Sequence, residues 1–299
     1  MSETSLPDDL VGGFQIEGEP VRGRVARLGP TIDKILQAHD YPEAVANLLG
    51  EACALAALVG SNLKFQGRLI VEARGAGAVR YVIADYDTSG GLRGYCRFDA
   101  EAVATASSGF LRPGARSLLG EGVFMMTVDQ GTDMDRYQGV TDIQGETLAL
   151  CAEQYFAQSE QTPTRVRLAV GHLDGAWRAG GILIQYVAED DARGSTLEAW
   201  VRTQALFETV GEDELSDPDL SSNELLFRLF HEDGVRVFNS KPLTPFCRCN
   251  EARIVTVLKS FEPAERADMV EDDGKIRVTC EFCSKVYAME PAELEAAEA

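Results

Sequence analysis

The sequence is poor in positive charge. Its 299 residues contain 28 Lys and Arg against 48 Asp and Glu, which gives a formal net charge of −20 at pH 7. A surface of that charge repels phosphate backbones and anionic membrane surfaces alike. We therefore expect neither nucleic acid nor a membrane as a partner.

Segments that direct a protein to a membrane are also missing. Residues 1–9 have neither the basic nor the apolar region of a signal peptide. No apolar run approaches the roughly 18 residues that span a bilayer. We expect a cytoplasmic protein. Its 45% of hydrophobic residues is normal for a globular chain and argues against wholesale disorder.

The sequence has no signature of nucleotide binding or of acid–base catalysis. No complete G-x-G-x-x-G or G-x-x-x-x-G-K motif occurs, so the glycines are assigned to turns. His39 and His172 have no catalytic constellation near them in the sequence. We expect a protein that is not an enzyme.

Residues 1–187 are expected to form the main domain, of class α+β. Short runs rich in β-branched and large apolar residues predict strands, and the short turns between them favour antiparallel hairpins over βαβ crossovers. The predicted strands cover residues 69–73, 79–84, 123–128, 165–170 and 182–187. A helix is predicted from Pro42 to about Leu58, apolar nearly all round and so covered on several sides. A second helix is predicted from about Glu146 to Ser159.

A change in composition after Val187 predicts a linker over residues 188–240. Residues 188–220 contain ten Asp and Glu and two Arg, a local charge of −8. Apolar residues in the same stretch approximate one face of a helix. They are Leu197, Trp200, Val201, Ala205, Leu206, Phe207 and Val210. After the cap region at 221–223, a second amphipathic helix carries Leu225, Leu226, Leu229 and Phe230. These segments are either ordinary docked helices or a metastable element in which clustered carboxylates oppose burial.

Cysteine supplies the strongest motif. Cys247 and Cys249 form a C-x-C pair, and Cys280 and Cys283 form a C-x-x-C pair, with 30 residues between the two pairs. This spacing suits one tetrahedral zinc ion, and four thiolates leave no open position for a substrate. We expect a structural Zn²⁺ in a small C-terminal module, residues 241–299, with helices near 251–261 and 263–270 and a hairpin of 275–279 with 285–289.

The other possible ligands are not expected to bind this metal. Cys53, Cys96 and Cys151 lie apart from the cluster, and we interpret them as buried, inert thiols. His231 is not expected to be a ligand, because four thiolates already complete a tetrahedron.

The paired cysteines leave several functions open. A module of about 50 residues buries too little surface to be secure alone, so its fold should depend on the metal. The zinc is either a permanent structural ion or one that can be released. Release is possible because the neighbouring thiols of each pair can be oxidised to local disulfides, which no longer bind the ion. A nucleic-acid-binding zinc ribbon is disfavoured by seven basic against eight acidic residues between Cys247 and Tyr287. A thiol oxidoreductase is disfavoured because the second cysteine pair completes a ligand set.

The chain resembles the redox-regulated heat-shock chaperones called the 33 kDa chaperonin, or heat-shock-protein-33, family. In the N-terminal part the resemblance lies at Leu48-Leu49-Gly50-Glu51, Leu63-Lys64-Phe65-Gln66-Gly67 and Leu92-Arg93-Gly94-Tyr95. Its most specific part extends from Leu226 through both cysteine pairs, including Pro245-Phe246-Cys247-Arg248-Cys249, Glu271-Asp272-Asp273-Gly274-Lys275-Ile276 and Cys280-Glu281-Phe282-Cys283.

The resemblance implies an ATP-independent holdase without catalytic residues. In the reduced, inactive form, Cys247, Cys249, Cys280 and Cys283 would bind zinc. On oxidation, disulfides Cys247–Cys249 and Cys280–Cys283 would form, zinc would leave, and the linker would unfold. Unfolding client proteins would then bind around residues 188–240, and the active form would be a homodimer.

Overall fold

The computed structural model describes residues 8–109, 112–131, 134–187 and 196–296. The chain forms two compact units, the first ending at Pro245 and the second beginning at Phe246. Residues 188–195, with which the predicted linker begins, lie outside the described residues. The described remainder of that segment belongs to the first unit, and the division into three segments stays a prediction.

The elements are as follows in chain order. The strands are β1 Leu10–Ile16, β2 Val21–Leu28, β3 Arg68–Gly75, β4 Val79–Asp87, β5 Gly91–Phe98, β6 Gly122–Asp129, β7 Tyr137–Asp142, β8 Thr164–Leu173, β9 Ala176–Tyr186, β10 Val235–Val237, β11 Lys241–Pro242, β12 Thr244–Pro245, β13 Ile276–Thr279 and β14 Val286–Met289. The helices are α1 Pro30–Leu36, α2 Glu43–Gly60, α3 Ala100–Ser107, α4 Ala115–Leu119, α5 Leu148–Ser159, α6 Thr196–Phe207, α7 Glu212–Ser216, α8 Ser222–Phe230, α9 Glu251–Lys259, α10 Pro263–Asp268 and α11 Pro291–Ala296.

Two sheets form the first unit, which confirms the predicted α+β class. The first sheet has the order β10-β1-β2-β9-β8, with β11 also paired to β1, and the second has the order β12-β5-β4-β3-β6-β7. Neighbouring strands are antiparallel except β12 and β5, which are parallel. The predicted strands correspond to β3, β4, β6, β8 and β9. Each is longer than predicted, although β4 begins at the predicted residue and β9 ends one residue before the predicted end.

Helix α2 fills the space between the two sheets. It packs against β3, β4 and β5 on one side and against β2, β8 and β9 on the other. Close approach depends on glycine: a Cβ at Gly50 would lie 2.8 Å from a Val170 methyl, and one at Gly94 would lie 2.8 Å from the Cys53 sulfur. The expectation that no apolar segment approaches the length of a membrane span was wrong for α2, which among the described helices has that length and hydropathy, but 83% of it is buried inside the protein. Its apolar character is therefore explained by the core.

The linker helices α6, α7 and α8 cover the first sheet. A second core cluster joins residues of that sheet, including Phe14, Ile16 and Ile184, to apolar residues of the linker. From the linker it contains Trp200, Phe207, Val210, Leu215, Leu220, Leu225, Leu226, Leu229 and Phe230. The stripe predicted for α8 is therefore the face that is buried.

The stripe predicted for α6 was partly wrong. Val201 is 57% exposed and Ala205 is also exposed, whereas Thr203 is buried beside Trp200 and Phe207. Positions 200, 203, 207 and 210 follow the helical repeat of three to four residues, and positions 201 and 205 lie on a different side of the helix. No side-chain position is described for Leu197.

Residues 235–245 add strands that the helical linker predicted from sequence did not include. β10 and β11 pair with β1, and β12 pairs with β5. Each is only two or three residues long. This stretch therefore borders both sheets of the first unit.

The second unit is built as predicted from helices and one hairpin. Strands β13 and β14 pair antiparallel, with Val278 opposite Tyr287. Its core consists of Leu258, Ile276, Tyr287, Met289 and Leu294. Five buried side chains, counted over residues 246–294, make a small core for an independent unit.

Candidate metal centre

Four cysteines meet within the second unit. Cys247 and Cys249 lie between β12 and α9, and Cys280 and Cys283 lie between β13 and β14. All four sulfur atoms are within 4.8 Å of one another, and all four side chains are half-buried. The structure thus brings together the four ligands predicted from the sequence.

Local hydrogen bonds hold both cysteine pairs in place. The Asn250 side chain caps α9 by accepting from the Arg253 backbone N–H at 2.9 Å, which fixes the chain directly after Cys249. At the other pair, the Cys280 N–H donates to the Lys285 carbonyl at 2.9 Å, and its carbonyl accepts from the Ser284 N–H at 2.8 Å. Ser284 has φ of 56°, in the left-handed region, and this turns the chain tightly back into β14.

The distances between the sulfur atoms fit a tetrahedral metal site. Cys247 Sγ lies 3.6 Å from Cys280 Sγ, and Cys249 Sγ lies 3.5 Å from Cys283 Sγ. In a tetrahedron with Zn–S bonds of about 2.3 Å, the sulfur atoms are about 3.8 Å apart. Four soft thiolate donors in tetrahedral geometry suit zinc or an iron–sulfur centre. Such a centre has no free position, so it would hold the chain together and activate no substrate.

The four thiols do not share one environment. Burial raises the pKa of Cys247, and it raises the pKa of Cys283 to about 12. Burial acts in the same direction on Cys249, but hydrogen bonds from Tyr287 and the neighbouring cysteines outweigh it and lower its pKa to about 7. Among Cys247, Cys249 and Cys283, the Cys249 sulfur is therefore the one whose negative charge is stabilised in this way.

Tyr287 and Lys285 belong to the site, although sequence reasoning missed them. The Tyr287 hydroxyl donates a hydrogen bond to Cys249 Sγ at 3.2 Å, which raises the pKa of the tyrosine to about 12. The Lys285 ammonium lies 4.7 Å from the centre of the Tyr287 ring. The alternation of buried and exposed residues in β14 could have placed Tyr287 on the inner face, but not its hydroxyl beside a sulfur.

The remaining thiols and histidines lie elsewhere. Cys53, Cys96 and Cys151 are at most 1% exposed, as predicted, and burial raises the pKa of Cys53 to about 12 and also raises those of the other two. His231 lies at the end of α8 in the first unit, where its Nδ1 is 3.1 Å from the Phe227 carbonyl.

Known proteins resemble this chain over nearly its whole length. The family described as Hsp33 protein matches residues 9–290. A 33 kDa chaperonin of Caulobacter vibrioides is 69% identical over 293 residues, which cover 97% of each chain. A 33 kDa chaperonin of Escherichia coli is 32% identical over 289 residues, which cover 96% of this chain and 94% of the relative.

A solved structure shares the fold. The crystal structure of the 33 kDa chaperonin (heat shock protein 33 homolog) from Thermotoga maritima superposes with a TM-score of 0.80. The superposition covers 96% of this chain and 97% of the other, at 21% sequence identity. At that identity the likeness concerns the fold.

Proposed function

This chain belongs to the Hsp33 protein family, and from that membership we propose that it is a redox-regulated, ATP-independent holdase chaperone. It is a chaperone and not an enzyme. In the proposed cycle, the reduced form holds one Zn²⁺ through Cys247, Cys249, Cys280 and Cys283 and is inactive. The oxidised form lacks zinc, has an unfolded linker, binds unfolding clients as a homodimer and acts in the cytoplasm.

The observation that carries the proposal is the meeting of four thiols within 4.8 Å in a separate small unit. Four thiolates can bind a metal, and the same four can be oxidised, but they cannot do both at once because a disulfide sulfur has lost the charge that binds the ion. Metal binding and oxidation therefore exclude each other at this site.

The oxidation step balances with a peroxide as oxidant. Two thiolates that close one disulfide give two electrons to a peroxide, whose O–O bond breaks and which leaves as two molecules of water after taking up two protons. Two disulfides thus consume two peroxide molecules. No residue of the protein has to act as a catalyst.

Loss of the metal should unfold the second unit. Its core contains five buried apolar side chains among the residues that the structure describes, whereas a structural zinc contributes ~10–16 kcal/mol of apparent binding free energy. Disulfides within each pair would close loops of only a few residues and would constrain the unfolded chain much less than a metal that joins distant segments. The module would lose its main support.

Unfolding of the module would reach the linker through the chain itself. β12 ends at Pro245, two residues before the first ligand, and the linker helices precede it. Release of those helices would uncover Phe14, Ile16 and Ile184 on the sheet and the apolar faces of α6 and α8. Contiguous apolar surface of this kind binds the exposed apolar segments of unfolding proteins. Residues 188–240 and the sheet beneath them form the proposed client-binding region.

The proposed disulfides differ from the two sulfur contacts at 3.6 and 3.5 Å. Those contacts join Cys247 to Cys280 and Cys249 to Cys283, across the two pairs. Cross-pair disulfides would keep the two ends of the module together, as the metal does, and would not release it. Pairing within Cys247–Cys249 and Cys280–Cys283 lets the module open, so we propose that pairing for the switch.

The test follows metal, thiols and activity in one preparation. The reduced protein should contain one zinc per chain by elemental analysis. Treatment with hydrogen peroxide or hypochlorous acid should release that zinc with the loss of four thiols, and the product should suppress aggregation of a thermally unfolding client without ATP. Undiminished client aggregation after complete zinc release contradicts the proposal.

A variant with Cys53→Ser, Cys96→Ser and Cys151→Ser serves as the matched control, because it retains only the four clustered thiols. It should switch like the parent protein. Peptide mapping of the oxidised variant without reduction should give the two within-pair disulfides, and sedimentation velocity should show a dimer. Cross-pair disulfides in an active product would contradict the pairing and leave the chaperone function intact.

A further inference from the structure

Tyr287 is placed to act on one sulfur of the candidate metal centre. It lies in β14 at a position facing the module core and is 8% exposed. Its ring packs in the cluster that includes Leu258, Ile276 and Met289, against which Cys249 also packs. The hydroxyl reaches Cys249 Sγ at 3.2 Å. A buried aromatic ring thus delivers a single hydrogen-bond donor to a single ligand.

Three contacts fix the position of that donor. Strand pairing opposite Val278 sets the direction of the side chain, and core packing holds the ring. Lys285 lies over the ring at 4.7 Å. The hydroxyl therefore approaches the sulfur from a pre-set position and loses little rotational freedom when it bonds.

In the metal-bound form all four sulfurs are already thiolates, so the hydrogen bond does not increase the thiolate fraction of Cys249 and only lowers the reactivity of this sulfur toward an oxidant. When a thiolate attacks a peroxide, a sulfur lone pair forms the new S–O bond, the O–O bond breaks, and hydroxide leaves to become water. A second thiolate then displaces the hydroxyl group of the sulfenic acid and closes the disulfide. A hydrogen-bond donor on the sulfur withdraws electron density from the attacking lone pair. The hydrogen bond must therefore weaken in the transition state, and this slows the reaction.

The other sulfur contacts allow no equally clean change. Cys247 accepts from the backbone N–H of Cys249, and Cys283 accepts from the backbone N–H of Lys285. Backbone donors cannot be removed by substituting a side chain. The Tyr287 hydroxyl can be removed by Tyr287→Phe, which keeps the ring and its packing.

We propose that Tyr287 is a positioning residue that protects Cys249 from oxidants and so sets the oxidant concentration at which the switch responds. The inference rests on the proposed function, because it concerns the oxidation of the same four thiols. Tyr287 is not a metal ligand, yet it would determine the oxidant concentration at which the metal is lost.

The experiment compares wild-type protein with Tyr287→Phe, both full-length, reduced and zinc-loaded. At limiting peroxide, zinc release is followed with a chromophoric chelator, and the loss of each thiol is mapped by isotope-coded alkylation and mass spectrometry. The variant should lose the Cys249 thiol and its zinc ~3- to 10-fold faster, because the wild-type hydrogen bond to the charged sulfur is only partly weakened on reaching the transition state. Tyr137→Phe is the matched control, since it removes an exposed hydroxyl that lies 3.3 Å from Glu160 in the first unit.

Two further measurements separate protection from a merely structural role. Zinc transfer to a strong chelator without oxidant and the thermal midpoint of the module should change little, while the peroxide-driven rate rises. Equal acceleration with and without oxidant overturns the inference, as does unchanged oxidation of Cys249. If Tyr287→Phe does not load zinc, 3-fluorotyrosine at position 287, a stronger donor, should slow the oxidation of Cys249, and no slowing overturns the inference.

The outcome is independent of the proposed chaperone function. If oxidised wild-type protein releases zinc but does not suppress client aggregation, the function fails, while the two oxidation rates still decide the role of Tyr287. If the function holds and the rates are equal, only the inference fails.

Discussion

Glu51 lies on α2 and lines a cavity of about 420 Å³ between the first unit's core and the linker helices. Burial, together with the nearby carboxylate of Glu212 in α7, raises the pKa of Glu51 to about 7, and Arg112 only partly opposes this. Arg112 is already paired with Glu212 at 2.9 Å. The cavity's other charged residues also form pairs, Arg165 with Glu153 and Arg167 with Glu208. Glu51 is thus a carboxyl group that the fold favours in its neutral form.

This shift predicts that stability falls as the pH rises. The unfolded chain ionises Glu51 near pH 4.5, and the folded chain does so only near pH 7. The contribution of the neutral carboxyl group to the free energy of unfolding is therefore complete below about pH 4.5 and is lost as the pH rises through 7. This contribution is on the order of 3 kcal/mol. Glu51→Gln should flatten this dependence in denaturant unfolding between pH 5 and 8.

Glu72→Gln is a suitable control for Glu51→Gln, since Glu72 pairs with Arg74 on the second sheet, away from the cavity. An unchanged pH profile in Glu51→Gln would show that the carboxyl group ionises freely in the fold.

At the scale of elements, the linker helices are held by a few large side chains. Phe230 of α8 is fully buried and stacks on Phe14 of β1 with ring centres 5.9 Å apart. Three residues earlier on the same helix, Phe227 is 61% exposed. One helix therefore offers the same residue type in both environments.

Phe230→Ala should loosen the linker without any oxidant. Removing a buried phenylalanine costs ~3–5 kcal/mol, and that loss falls on the contact between α8 and the sheet. The reduced, zinc-loaded variant should be cleaved faster by protease within residues 196–240 and should suppress client aggregation. Phe227→Ala should behave like wild type in both assays. Equal protease resistance in the two variants would contradict the importance of this contact.

Prediction from sequence succeeded where local pattern determines an element. The strands β3, β4, β6, β8 and β9, the helix α2 and the hairpin of the module follow from periodicity and turn residues. Prediction failed for β2, because its buried residue Arg27 is a charged one and hides the strand's apolar pattern. The Arg27 guanidinium donates to the carbonyls of Glu214 and Asp217, about 190 residues away in sequence, so the local sequence does not show why it is buried. It failed for β10, because three residues carry no alternation and the partner strand β1 defines the element.

The ligands of the candidate site were predictable from the sequence, whereas the groups that contact them were not. Spacing identified the four cysteines, because metal ligation imposes it. The hydrogen bond from Tyr287 could not be inferred, because it depends on which face of β14 meets Cys249 after folding.

For the whole molecule, the division into a large and a small unit predicts unequal dependence on metal. The first unit has a core built on α2 and two sheets, whereas the described part of the second has five buried apolar side chains. A reductant and a strong zinc chelator should remove hydrogen-exchange protection from residues 246–296 and leave β4 and β9 protected.

Zinc added back to the reduced chain should restore protection in residues 246–296, which controls for irreversible damage. Persistent protection of β13 and β14 after complete metal removal would show that the second unit folds without metal.

The placement of residues 235–245 has a consequence for the backbone of the first unit. β10 and β11 cover the outer edge of β1, and β12 covers the outer edge of β5, so one stretch of eleven residues shields one edge of each sheet. The individual strands are two or three residues long and are held by few hydrogen bonds. Because the stretch is continuous, its departure would free the N–H and C=O groups of both edges together. Each sheet would then offer an open ladder to which another extended chain can hydrogen-bond.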